Sequence, residues 1–240
     1  FLNLGEALVT LSQQVEIVHF AEAGYLNEEA EVDVAFVEGS LSTPHELERI
    51  QAIRKQSATL ITIGACATAG GLQALRNVHK SGDWVGSIYA SPEYVETLAE
   101  VRPIASAVKV DLELWGCPIT SAQLVETVRA LLMGVTARSD HGKVCMSCKR
   151  QQAICVMVTR GAACMGPVTR VGCGAICPRF GRDCYGCFGP AESTNATSFS
   201  ERLIGLGYRP DDLNRRYWHI NSGAPVFQMA GRAWQEQSDE

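Results

Sequence analysis

Long apolar runs are missing from this sequence. No stretch approaches the roughly 20 apolar residues that span a bilayer, and no charged-then-apolar leader is visible at its start. A basic tail is missing too. Lys and Arg number 21 against 26 Asp and Glu, net −5 at pH 7, which points to neither nucleic acid nor an anionic membrane as partner. There is no internal repeat. Cysteine is nearly absent from most of the chain: outside positions 145–187, 197 residues hold only Cys66 and Cys117. Disulfide scaffolds are usually small domains short of a core. At 240 residues and 46% hydrophobic, this chain has enough for one large domain plus a smaller appendage, which disfavours a disulfide framework.

What is present is a dense set of thiols. Cys145, Cys148, Cys155, Cys164, Cys173, Cys177, Cys184 and Cys187 fall within 43 residues, bracketed by two Cys-x-x-Cys pairs. Eight thiols suffice for two four-thiolate sites, of iron–sulfur or zinc type. Zinc modules keep Cys-x-x-Cys pairs apart by a longer spacer, often with histidine. Here the inner spacings are irregular, and the only nearby histidine is His141. Glycine-rich loops suit clusters, whose sulfides accept backbone N–H bonds. Lys149, Arg150, Arg160, Arg170, Arg179 and Arg182 could balance anionic clusters, or simply face solvent. Cys177-Pro178 echoes the end of the two-cluster ferredoxin motif, but the Cys-x-x-Cys-x-x-Cys run is absent. Sequential filling would group the first four thiols and the last four; a swapped ligand is the alternative.

Residues 1–140 alternate between helix and strand signals. A helical pattern covers 2–14, and strands are expected over 15–20, 32–37, 59–63 and 108–114. Thr43-Pro44-His45-Glu46 reads as a capping box opening a helix to about Gln56, and Thr120 with Gln123 opens another to about Met133. Ser91-Pro92 should start a further helix. This alternation predicts a doubly wound α/β fold with a parallel sheet. Glu38, Cys66 and Cys117 fall at three strand ends, the edge where such sheets bind ligands, so the two cysteines should share a site there. Two buried free cysteines are the plainer alternative. Residues 141–240 form an irregular, cysteine-rich region with one helix over 193–206 and an aromatic, irregular packing tail over 215–228.

Four segments resemble one known family, the small electron-transferring subunit of nickel–iron hydrogenases. They are Val37-Glu38-Gly39-Ser40; Gly64-Ala65-Cys66-Ala67-Thr68-Ala69-Gly70-Gly71; Gly116-Cys117-Pro118; and Cys164-Met165-Gly166-Pro167-Val168-Thr169 with Cys177-Pro178 and Cys184-Tyr185-Gly186-Cys187. The cysteine region looks most like the delta subunit of cytosolic NADP-linked hydrogenases, or sulfhydrogenases. Membrane-associated members place a histidine near where Cys145 stands, and Cys173 is an additional cysteine here.

The resemblance implies a flavodoxin-like domain over 1–140, an iron–sulfur domain over 141–240, and three [4Fe-4S] clusters. The proximal cluster would use Cys66 and Cys117, the distal one Cys145, Cys148, Cys155 and Cys164, and the medial one Cys173, Cys177, Cys184 and Cys187. Glu38 would stand at an interface or proton path, or merely cap a turn. The implied partners are a large subunit holding the nickel–iron centre and flavin/NAD(P)-binding, iron–sulfur diaphorase subunits, in the cytoplasm. A deazaflavin- or heterodisulfide-linked hydrogenase, or a zinc-binding scaffold, are the alternatives. The family's first Cys-x-x-Cys is not among these 240 residues, and the sequence opens on Phe1. A first strand and its ligand loop are therefore expected before Phe1.

Overall fold

The computed structural model describes residues 4–78, 84–137 and 142–236. Positions 1–3 and His141 lie outside them. The chain opens with helix α1 (Glu6–Ser12), then β1 (Val32–Val37), α2 (Pro44–Gln56), β2 (Ser57–Ile63), α3 (Gly64–Ala69), α4 (Trp84–Ile88), β3 (Leu112–Leu114) and α5 (Ser121–Leu132). The three strands are parallel in the order β1-β2-β3, with Val34 opposite Thr59 and Ile63 opposite Leu114. The expected α/β architecture is therefore present.

The period-2 alternation of β2 explains why helices cover both faces. Leu60 packs with Ile50 of α2, Leu41 and Ile104 on one side. Ile61 and Ile63 pack with Leu124 and Val128 of α5 and Leu11 of α1 on the other. Each such buried aliphatic side chain contributes about 1.5–3 kcal/mol. Both capping boxes form. Thr43 Oγ1 accepts from Glu46 N–H at 3.2 Å while Glu46 accepts from Thr43 N–H at 2.9 Å, and Thr120 pairs with Gln123 in the same way.

Three expected elements differ. Residues 15–20 form no ladder; Phe20 instead pairs across a tight turn with Tyr25, and His19 Nδ1 accepts from Asn27 N–H at 3.1 Å. Pro92–Tyr94 is a single 3₁₀ turn rather than a full helix. The chain just beyond it is taken by the 41–42 loop, with Leu98 N–H and Thr97 Oγ1 both donating to Ser42 O. β3 is shorter than 108–114. Val108 still bonds back to Ile104, and the Asp111 carboxylate, not a backbone carbonyl, accepts Leu60 N–H at 2.9 Å.

The second half contains α6 (Val144–Arg150), α7 (Val156–Arg160), α8 (Ile176–Arg179), α9 (Ala196–Ile204), α10 (Pro210–Tyr217) and α11 (Pro225–Glu236). The expected irregular tail is thus helical. Pro210 and Pro225 each sit at the start of a helix, where proline's missing N–H costs nothing. Leu213, Tyr217 and Phe227 enter one core with Phe199 and Leu203 of α9, and with Val144, Met165 and Trp115. Among the described residues, no helix is long and apolar enough to cross a membrane.

Candidate cluster-binding thiols

All ten cysteines are free thiols. The first pair lies at the carboxyl edge of the sheet, where parallel strands end together and present their following loops to one side. Cys66 sits in α3, directly after β2, and Cys117 follows β3. Ala65 N–H donates to Gly116 O at 2.8 Å, which ties the two loops. Burial pushes the Cys66 thiol up, and Cys117 and Glu38 add to the shift, so all three groups act within one field. Glu38 is itself raised, first by burial and then by the hydrogen bond its protonated carboxyl donates to Glu22 and by that group's charge. Glu22 lies in the 21–23 turn and had no sequence signal. Gly71 closes the pocket around Cys66: at φ +60°, a Cβ there would stand 2.5 Å from the Cys66 sulfur.

The second set surrounds α6. Cys145 and Cys148 stand three apart on this helix, on one face. Cys155 is the exposed N-cap of α7, and Cys164 is buried. Burial pushes the Cys145 thiol up to about 11, with Cys164, Cys148 and Cys155 as its charged neighbours. A Cβ on Gly166 would lie 3.3 Å from the Cys145 sulfur and 3.5 Å from that of Cys164, so the backbone runs close beneath both.

The third set is Cys173, Cys177 and Cys187, with Cys184 at its border. Cys187 is pushed up to about 11 by burial and then by Cys173, Cys177 and Cys117. Cys184 is the most strongly raised, by burial; Gly186 N–H at 3.5 Å and the Thr169 hydroxyl at 3.8 Å oppose this. Its own N–H donates to the Cys164 sulfur at 3.3 Å. Cys184 therefore joins the second and third sets. Thr169 closes the segment that begins at Cys164, but its approach to Cys184 is not legible from spacing.

Buried thiols with raised pKa values are protonated at neutral pH, and a metal centre would have to displace those protons. Backbone N–H groups aimed at sulfur stabilise the thiolate form. Among the described residues, no three His, Cys, Asp or Glu side chains converge as they would on a single ion. Sets made of thiols alone are the donor chemistry that iron–sulfur groups take. The second and third sets can supply four thiolates each, the sheet-edge set two.

Charge is segregated around these loops. Residues 142–182 carry Lys143, Lys149, Arg150, Arg160, Arg170, Arg179 and Arg182 and no Asp or Glu. Asp183 ends the run, and its carboxylate pairs with Arg216 of α10 at 2.6 Å.

Comparison with known proteins adds three findings. The family model described as "NADH ubiquinone oxidoreductase, 20 Kd subunit" matches residues 1–131. The chain is 31% identical over 202 residues to the sulfhydrogenase 2 subunit delta of Pyrococcus furiosus, covering 84% of each. It is 30% identical over 222 residues to a subunit of the F420-non-reducing hydrogenase of Methanocaldococcus jannaschii, covering 80% of this chain and 77% of that one. Among solved structures, the crystal structure of NAD+-reducing [NiFe]-hydrogenase in the H2-reduced state matches with a TM-score of 0.52 and 25% identity, over 57% of this chain and 84% of that one.

Proposed function

The chain belongs to the family of the NADH ubiquinone oxidoreductase 20 kDa subunit, as a hydrogenase small subunit, and on that premise we propose that it is a three-cluster electron relay. In this reading Cys66 and Cys117 give two ligands to a proximal [4Fe-4S] cluster. Cys145, Cys148, Cys155 and Cys164 hold the distal cluster, and Cys173, Cys177, Cys184 and Cys187 the medial one. Bound clusters supply one-electron carriers, whose potentials in proteins span roughly −700 to +450 mV.

This chain's own residues set the surroundings of those carriers. Gly71 and Gly166 let backbone approach sulfur. The Cys184 and Gly186 N–H groups donate to thiolates. Such bonds and burial are the levers a protein has on cluster potential. Hydrogen is split by a large partner subunit with the nickel–iron centre, which Glu38 would face at the sheet edge. The electrons leave to a flavin- and NAD(P)-binding diaphorase module in the cytoplasm. One observation carries the reading: ten free thiols, grouped at the sheet edge and in the cysteine-rich half, stand in a chain similar to a hydrogenase small subunit over most of its length.

Iron and acid-labile sulfide analysis of the complete subunit, separated from its partners, tests it. About twelve irons and as many sulfides per chain are expected for three cubanes. About eight would remove the proximal cluster from the proposal, and zinc without sulfide would overturn it. Similarity to a subunit of an F420-non-reducing hydrogenase favours a second reading, the same relay serving a different acceptor. Hydrogen-dependent reduction of viologen without reduction of NADP+ would select that reading.

A further inference from the structure

Trp115 lies between β3 and Cys117, two residues from the thiol, and is only 8% exposed. Its indole N–H donates to Glu113 Oε2 at 3.1 Å, and its carbonyl accepts from Gln123 Nε2 of α5 at 3.1 Å. Further contacts of the ring come from the cysteine region. The Arg170 guanidinium lies over it, 4.7 Å from the ring centroid. Gly189, two residues past Cys187, presses against the benzo ring so closely that a Cβ there would overlap it. Arg170 also donates from its backbone N–H to Gly189 O at 3.0 Å and from Nε to Pro190 O at 3.2 Å.

The Trp115–Gly189 contact is therefore a cross-link two residues from Cys117 on one side and two residues from Cys187 on the other. The Cys117 backbone N–H donates to the Cys187 sulfur, so the two segments meet at these thiols. Ordinary core packing would not require a cation on the ring and a glycine beneath it. The glycine admits the indole at that distance. The arginine bonds the very segment that carries the glycine. Glu113 fixes the ring in its plane and supplies the opposite charge.

We propose that Trp115 and Arg170 are positioning residues, a clamp that sets the gap between the sheet-edge thiols and the Cys173–Cys187 set. The inference rests on the electron-relay reading. Tunnelling falls exponentially with separation, so a clamp beside Cys117 and Cys187 controls how fast an electron passes from one thiol set to the next.

The test uses the complete hydrogenase complex with Trp115→Ala, Trp115→Phe, Arg170→Gln and Arg170→Lys. Three quantities are read: iron content, magnetic coupling between reduced clusters in the EPR spectrum, and the rate of inter-cluster electron transfer after rapid mixing with hydrogen. Trp115→Ala and Arg170→Gln should keep their iron, lose coupling and slow the transfer measurably. Arg170→Lys, which keeps the cation, should restore most of the coupling, and Trp115→Phe should fall between. Unchanged coupling and rate in Arg170→Gln at full iron content would overturn the clamp, and that variant decides alone if Trp115→Ala fails to assemble. A wild-type complex without cluster signals would sink the relay reading itself, a different result.

Discussion

The two halves of the molecule are held together by different means. In residues 32–137, backbone groups bond one another: β1 and β2 form a parallel ladder, β3 extends it, and the helices α2 and α5 carry complete capping boxes. In residues 142–190, ladder pairing among the described residues is reduced to isolated bridges, Lys143 with Arg170 and Thr169 with Pro190. Short helices and single turns take most of the backbone bonds there, and the N–H groups of Cys184 and Gly186 point at sulfur. A backbone group cannot serve a ladder and a thiolate equally well. The thiol-bearing segment is left with short helices and isolated bridges, and the α9–α11 core packs beneath it.

The sharpest way to break this contrast is to remove iron. Chelation under reducing conditions should strip hydrogen-exchange protection from residues 144–190 and leave that of Ser57–Ile63 largely intact, because metal binding is coupled to local folding. Equal loss in both halves would show that they stand or fall together.

Side-chain deletions sharpen it next. Phe227 is 1% exposed in the core under the loops, and Phe227→Ala should cost about 3–5 kcal/mol in urea unfolding. That variant should also loosen the cysteine loops, whereas Leu60→Ala, at about 2–5 kcal/mol, should loosen the sheet. A Phe227→Ala protein whose loops exchange as slowly as before would refute the support assigned to the helical core.

The smallest effect concerns Asp111. The Leu60 N–H and then the Arg54 guanidinium hold its carboxyl below the usual range. A carboxylate with a lowered folded pKa stabilises above its unfolded value, near pH 4, and loses that contribution as pH falls through the lower folded value. Asp111→Asn should therefore cost about 1 kcal/mol at pH 7. The difference from wild type should shrink as pH drops below about 4. A difference that is constant with pH would assign the effect to packing.

Much of the sheet half was legible because its signals are local. The two capping boxes name their own helices, and 32–37 reads as β1 to the residue. The strand ends that gather Glu38, Cys66 and Cys117 follow from the parallel topology alone. The misses have non-local causes. Residues 15–20 carry a good strand pattern, but Phe20 is claimed by Tyr25. The turn after Ser91 stops where the 41–42 loop takes the chain. The helices after 209 were hidden by their polar faces, although Pro210 and Pro225 mark their starts. Nothing in the spacing of Trp115 and Arg170 announces that one lies over the other, because a cation–π contact across 55 positions leaves no periodicity.

The run of cations without carboxylates has a further consequence. Residues 142–182 carry +7 while the whole chain carries −5, so the remainder carries −12. Positive charge is thus concentrated in the thiol-bearing segment and negative charge in the rest of the sequence. On the relay reading, anionic clusters would offset that positive charge, so loading with iron and sulfide would change the field of the molecule as well as its redox state. At physiological ionic strength this field reaches about 8 Å beyond the surface. Loaded and unloaded subunits should therefore separate on an anion-exchange column.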